Sequence, residues 1–397
     1  MNLHAGFRGK DLQIGGFVSN GYLQSSHYNY LVDSEDGSFE FVELGLNASW
    51  TLQDRTTVNG QLFAFELGPY GNFEPLVDYL FVDYNFKREF GLRAGRVKRE
   101  VGVYAHIQDI DVSRASVLLP MGIYDQRFRD ISASLDGLSA YGNLDLWKGA
   151  YLDYNIYGGI VELQEDGGVA GLALTSASRV ADNLKVEFID SKYNYGGQLW
   201  LSPGLDGLRM GFSVTQFMDM SATTLGTVPL DAQPSYLAGL PFRSEFEDYD
   251  LVNTTASIEY FVGEWNFVGE YLYSDVSLFV ISDIAGVFTT REDTRIKGDS
   301  FYLSAARRFD RLEASVTYVE YYENRDNRKG IGTLNPSSAY NKDLQFSIRY
   351  DVTDYWSLKA EIHDIKGTAR LFNELQQNPI LDEEAWTLFA AKSTFSF

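Results

Sequence analysis

The chain has 397 residues, with 33 Lys and Arg against 55 Asp and Glu, a formal net charge of −22 and no cysteine. That acidic surplus leaves no basic footprint for nucleic acid, and the missing cysteine excludes disulfides and thiolate chemistry while suiting passage through an oxidising periplasm. Hydrophobic residues make up 45% and aromatics 15%, with 26 Tyr, 27 Phe and 36 Gly against 9 Pro, a balance that favours strands and turns. No run of about 18 apolar residues occurs, so no helix is long and apolar enough to cross a membrane. That says nothing about strands, whose alternation gives a weaker hydropathy signal than a helix does. Met1-Asn2-Leu3-His4 has neither a basic n-region nor an apolar h-region, so an exported form is expected to have lost its leader already.

Period-2 alternation, the mark of a strand with one apolar face, recurs along the whole chain. Leu12–Leu23 opens the series. In 42–52, Val42, Leu44, Leu46, Ala48, Trp50 and Leu52 alternate with Glu43, Gly45, Asn47, Ser49 and Thr51. After Gln53-Asp54-Arg55, Val58, Leu62 and Ala64 resume the pattern and make a hairpin. Leu76–Phe86, Gly91–Lys98, Gly137–Leu146, Ala150–Val161, Tyr193–Leu201 and Leu208–Phe217 follow. Asp250–Phe261 pairs with Trp265–Tyr273, Gly298–Arg307 with Leu312–Tyr321, and Asp343–Val352 with Trp356–Ile365; Ala385–Phe397 closes the chain. The total is 16 strands, or 18 if a hairpin hides in 162–192 or 218–249, for which Val186–Ile189 is the best candidate.

The connections alternate between short and long. Long ones span about 24–38, 66–75, 99–136, 162–192, 218–249, 274–297, 322–342 and 366–384. Short periplasmic turns opposite long extracellular loops are the plan of a transmembrane antiparallel up-and-down β-barrel, with an even strand count. A barrel this wide leaves an aqueous interior, so the apolar face points outward, and only lipid makes that stable. The reading is therefore one all-β domain over 1–397. Trp50, Tyr84, Phe86, Trp147, Tyr260, Trp265, Tyr350 and Trp356 beside the turns are expected to form interfacial girdles.

The last strand places Phe389, Ala391, Ser393, Phe395 and Phe397 on one face and ends on an aromatic. This resembles the C-terminal signature of Gram-negative outer-membrane proteins, which the barrel-assembly machinery reads; Phe395 and Phe397 would carry it. Gly95-Arg96, the long segment through Leu119-Pro120, and Asp136-Gly137-Leu138 resemble 16-stranded porins, whose third loop folds into the pore. The resemblance implies an outer-membrane channel for ions and small hydrophilic solutes, a homotrimer, and contact with the bilayer and lipopolysaccharide. The third long loop here is 99–136, the longest in the chain.

The resemblance implies a constriction in which charged groups set a transverse field. The candidates are Arg96, Lys98, Arg99, Glu100, Asp109, Asp111, Arg114, Arg127 and Arg129, with Asp125 and Asp130 in the same segment. Arg96 follows the glycine at the end of the fifth strand and Lys98 shares its face; the rival phase turns Arg93 inward instead. Alternation assigns the lumen wall Glu43, Asp83, Asp145, Asp153, Glu259, Glu270, Glu313, Asp343 and Glu361, against Arg349 and Lys359. That acid-rich wall implies weak cation preference. An arginine-rich third loop implies the opposite, a site selective for anionic or carboxylate solutes. A non-conducting adhesin or receptor barrel is a further alternative.

An enzyme is not expected. Only His4, His27, His106 and His363 are present, without a Gly-x-Ser-x-Gly motif. Their spacing offers no metal site, and no cofactor is implied.

Overall fold

A computed structural model describes residues 11–105, 114–333, 335–371, 378, 381 and 383–397. Sixteen antiparallel strands close into one barrel in simple up-and-down order, the first pairing with the last. They are β1 (Leu12–Ser25), β2 (Ser38–Gln53), β3 (Thr56–Leu67), β4 (Leu76–Lys87), β5 (Phe90–Lys98), β6 (Ser134–Trp147), β7 (Ala150–Ile160) and β8 (Asp182–Ser202). The second half holds β9 (Leu208–Thr227), β10 (Pro241–Val262), β11 (Trp265–Ile284), β12 (Phe288–Phe309), β13 (Leu312–Tyr322), β14 (Tyr340–Asp351), β15 (Trp356–Lys366) and β16 (Ala385–Ser396). Two short helices lie in loops: α1 (Arg129–Ser132) and α2 (Gly168–Ala177).

The faces sort as alternation requires. Leu44, Leu46, Trp50, Leu138, Ile156, Phe212, Leu303, Phe346, Ile348, Phe389 and Phe395 point outward and are exposed. Their alternates, such as Ser139, Asn155, Gln198, Ser213, Thr317, Gln345 and Ser347, are polar and buried on the inner side. An apolar exterior around a polar interior inverts a soluble protein, and closure leaves no unpaired edge inside the bilayer. Trp50, Tyr84, Phe86, Trp147, Trp265, Tyr350 and Trp356 are exposed beside the short turns, as a girdle requires.

Three loops are shorter than the sequence suggested. Strands β8 to β12 run 20–22 residues, about twice what a tilted strand needs to cross a bilayer. They stand above the rest of the barrel as a five-stranded wall. Most of 182–192, 218–227, 241–249, 274–284 and 288–297 is therefore strand rather than loop. Val186–Ile189 lies within β8, with Val186 opposite Thr224 and Ile189 opposite Ala222. The strand count is thus 16, not 18. Alternation fails above the bilayer because both sheet faces there meet water or loops, and shifts at Val186/Phe188 and Glu247/Asp250 break the phase.

The buried apolar residues come largely from loops packed inside the extracellular half. Tyr28, Tyr30, Leu31 and Val32 of the first loop meet Val117, Leu118 and Met121 of the third, Leu371 of the last, and inward Leu23, Trp386 and Leu388. Helix α2 lies against β8 and β9. It buries Val169, Ala170, Ala173 and Ala177, small side chains that let it fit closely under the tall wall.

Candidate functional site in the lumen

The described parts of the third loop, 99–105 and 114–133, are fastened to inward side chains of the opposite wall. On one side Glu270 of β11 accepts Val103 N at 2.9 Å, Ser257 Oγ at 2.5 Å and Tyr302 Oη at 2.7 Å, as well as the Tyr124 hydroxyl. On the other, Glu361 of β15 accepts Val117 N at 3.0 Å and Leu118 N at 3.1 Å, while Lys359 Nζ donates to Ser116 O at 2.9 Å. Glu361 also takes Ser347 Oγ at 2.5 Å and is bridged by His363 to Asp343, at 2.8 and 2.9 Å. Leu118 and Leu119 are buried between these fastenings. Charge-assisted acceptors inside a barrel wall bind backbone N–H groups strongly because water does not compete there.

The loop's arginines are held in place rather than presented to an open lumen. Arg127 forks onto Asp125 at 2.7 Å and donates to Arg370 O at 2.8 Å. Arg370, in the last loop, also contacts Asp125, so these three residues tie two loops together. Arg129 meets Asp78 of β4 at 2.6 Å and stacks over Phe63 at 4.0 Å. Arg99 is buried over the Phe217 ring at 4.7 Å, and Arg114 is buried as well. Burial pushes the Arg99 guanidinium below its usual range. Asp109, Asp111 and His106 lie outside the described residues, as does His4.

Strand register decides the phase of β5. Arg93 lies opposite Asp83 and Ser139, both inward. Arg96 lies opposite Leu80, which is 52% exposed, and Asp136, whose own β7 partner Ile160 is 54% exposed. Arg96 is thus on the outer phase, paired with Glu162 at 3.1 Å, and Lys98 stands over Tyr79 at 4.7 Å. The expectation that Arg96 turns inward is corrected to Arg93. Gly95 has φ +125, but this irregularity does not move the register on either side of it.

Arg93 and its partners keep more solvent access than the Glu270 and Glu361 fastenings: the side chains of Arg93, Asp83 and Glu100 are 22, 15 and 29% exposed. It bridges Asp83 at 3.0 Å and Glu100 at 3.2 Å and lies between the Tyr141 ring at 4.2 Å and the Phe81 ring at 5.5 Å. Tyr141 Oη donates to Asp83 at 2.6 Å. The guanidinium is therefore fixed in plane by two carboxylates and two rings, yet partly exposed.

Of the other expected wall residues Glu259, Glu270, Asp343, Glu361, Arg349 and Lys359 are buried, and most of the acids have cations beside them. Glu43 takes Lys392 at 2.5 Å, Glu259 takes Arg209, and Arg349 reaches Asp351 at 2.6 Å. Arg308 contacts Asp351 and reaches Glu313 at 3.4 Å. Asp153 accepts Asn143 Nδ2 at 2.5 Å, and Asp145 meets Arg88 at 2.8 Å. Three inward cations, Arg209, Arg308 and Lys392, were missed by the sequence reading, which had Arg93 only as the rival phase. The signal for Lys392 was available: the phase that sends Ala391 and Ser393 outward sends Lys392 inward. With these and Arg93, six Lys and Arg stand beside the nine expected acids, a smaller acidic surplus than the sequence suggested.

Asp130 of α1 sits where the third loop meets the fourth. It accepts Ile131 N at 3.0 Å and reaches Gln164 N at 3.5 Å. A Cβ at Gly167 would lie 2.2 Å from its carboxylate, so only glycine permits this approach. Desolvation pushes the carboxyl up to about 7, with Asp166 adding to the rise. The docked state therefore holds its proton up to a higher pH than the open state. Docking is strongest in acid and weakens as pH rises towards 7, then levels off. Because the residue keeps some solvent access, loop opening is expected to increase about threefold per unit between pH 5 and 7, short of the tenfold limit. Amide exchange at Gln164 measures this, and Asp130→Asn should flatten the profile; an equally steep slope in that variant would exclude Asp130.

No family model matches this sequence, and no curated protein does. Solved structures match across almost the whole chain at low identity. A trimer form of OmpT, an outer-membrane protein of Vibrio cholerae, gives TM-score 0.54 at 10% identity over 97% of this chain and 99% of that one. OmpF of Salmonella typhi, solved with daunomycin, gives 0.56 at 13% over 97% of each. An anion-selective porin from Comamonas acidovorans gives 0.55 at 14% over 97% and 99%. The fold of this chain is the 16-stranded porin fold.

Proposed function

We propose that the chain is an outer-membrane channel through which ions and small hydrophilic solutes diffuse along the Arg93 side of a lumen narrowed by the third loop. The observation that carries this reading is the double fastening of that loop, at Glu270 and Glu361, across a closed barrel with an apolar exterior. Polar side chains line the interior, as a water-filled channel requires. Weak cation preference rests on the net charge of −22 and on the acidic surplus that remains along the wall. Selectivity for anions through the loop arginines has less support, since Arg127 and Arg129 already hold carboxylates. Porin-fold proteins that are trimers support a homotrimer, with lipopolysaccharide and the barrel-assembly machinery as further partners.

Planar-bilayer recording of the refolded chain tests the channel. Stable ohmic steps with a reversal potential of cation sign in a salt gradient are expected. A sealed barrel would leave the adhesin or receptor reading instead.

A further inference from the structure

Strand β12 is paired on both sides only in its lower part. Its ladder with β11 runs without a shift from Phe288 opposite Ile284 to Arg307 opposite Trp265, whereas its ladder with β13 begins at Asp299 opposite Tyr322. Along Phe288–Lys297 the backbone groups that point away from β11 therefore meet no ladder partner among the described residues. A regular edge of this kind is a template for a further strand. The other free edge of the tall wall differs. On β8 the stretch above Asn194 also lacks a partner towards β7, but shifts at Asp182/Lys185 and Val186/Phe188 break its regularity and α2 lies against the strand. Irregularity and cover blunt that edge. Among the described residues, neither device protects β12.

The side chains on the β12 edge sort by face. Alternation puts Arg291, Asp293, Arg295 and Lys297 on one face and Thr290, Glu292, Thr294 and Ile296 on the other. On the first face Arg291 lies over the Phe279 ring at 4.4 Å, and Arg295 meets Asp275 at 2.8 Å. Charge on an edge deters most strands. Three cations among the four residues of one face turn that deterrent into a preference, because a strand with carboxylates at alternate positions sets opposite charges across the ladder. At the head of the edge, Val287 and Phe288 are 61 and 54% exposed. The connection before β10 adjoins this turn, where Ala285 N donates to Pro241 O at 3.0 Å, and it presents Leu230 and Tyr236 at 87 and 69%. Large apolar side chains exposed together at the extracellular crest mark a contact surface.

We propose that the upper edge of β12 accepts an added β-strand from another protein outside the cell, an extended segment with carboxylates at alternate positions and an apolar end that meets Val287 and Phe288. Main-chain hydrogen bonds supply the affinity and the cationic face supplies the selection. The proposal rests on the membrane placement above and not on conduction.

The probe is a fluorescently labelled synthetic peptide as long as the free edge, with Glu alternating with Thr and Val-Phe at its end. It is titrated by anisotropy against the full refolded chain in detergent. One control peptide carries Lys in place of every Glu, and another is N-methylated throughout, which removes its backbone donors. Saturable binding below about 1 mM is expected. Either control should bind about tenfold more weakly, and the double variant Arg291→Gln/Lys297→Gln should weaken the Glu peptide several-fold while keeping the Arg295–Asp275 pair. Heat-dependent gel mobility verifies the fold of the variant. Amide exchange should slow along 288–297 when the peptide binds and stay unchanged along 182–192. The absence of saturable binding, equal affinity for either control, or protection along 182–192 instead overturns the proposal. So does protection of 288–297 that grows with protein concentration in the absence of peptide, which would assign the edge to a second copy.

Discussion

Glu361→Ala should release one side of the third loop and produce larger, noisier conductance steps without dissolving the barrel. The substitution removes the acceptor for Val117 N and Leu118 N and leaves His363 with Asp343 alone. Removing one member of a buried, hydrogen-bonded ion pair costs ~3–5 kcal/mol, comparable to the stability of a docked loop but small against a closed sixteen-stranded ladder. Apolar packing of Leu118 and Met121 persists, so the loop should fluctuate rather than leave. A conductance rise on the order of twofold is expected, since ion flow follows the cross-section the loop leaves. Glu361→Gln keeps the shape and one acceptor oxygen and should fall between. Unchanged single-channel steps in the alanine variant would mean that this fastening does not set the aperture.

Arg93→Gln should move selectivity towards cations, and Arg96→Gln should not. Removing the Arg93 charge leaves Asp83 and Glu100 facing the lumen without their shared counter-ion. A roughly threefold rise in the cation-to-anion permeability ratio needs only ~0.65 kcal/mol of altered potential, within the several kT that a charged, low-dielectric cleft sustains. Arg96 pairs with Glu162 on the outer phase, so its loss should leave the reversal potential in place. The opposite ranking of the two variants would show that β5 has the other phase in the membrane.

Both expectations depend on register, which the linear sequence leaves open. Around Gly95 the alternation admits two phases, because Arg93, Arg96 and Lys98 offer a charge to either face. Pairing with Leu80 and Leu138, residues distant in sequence, selects one of them. The ion pairs have the same origin. Glu43 and Lys392 are separated by 349 positions and meet only because β16 closes on β1.

The sequence by itself determined the barrel: an even set of sixteen or eighteen strands, the outward apolar face, the sorted loops, the aromatic girdle and the C-terminal strand. These are legible because lipid imposes a period of two on every crossing segment, and each strand carries that signal alone. Only the tertiary structure decided the height of β8 to β12, the docking of the third loop at Glu270 and Glu361, and the balance of charge in the lumen. Above the bilayer no solvent contrast enforces alternation, and inside the barrel each carboxylate's partner is fixed by closure and loop packing, not by its neighbours in the chain.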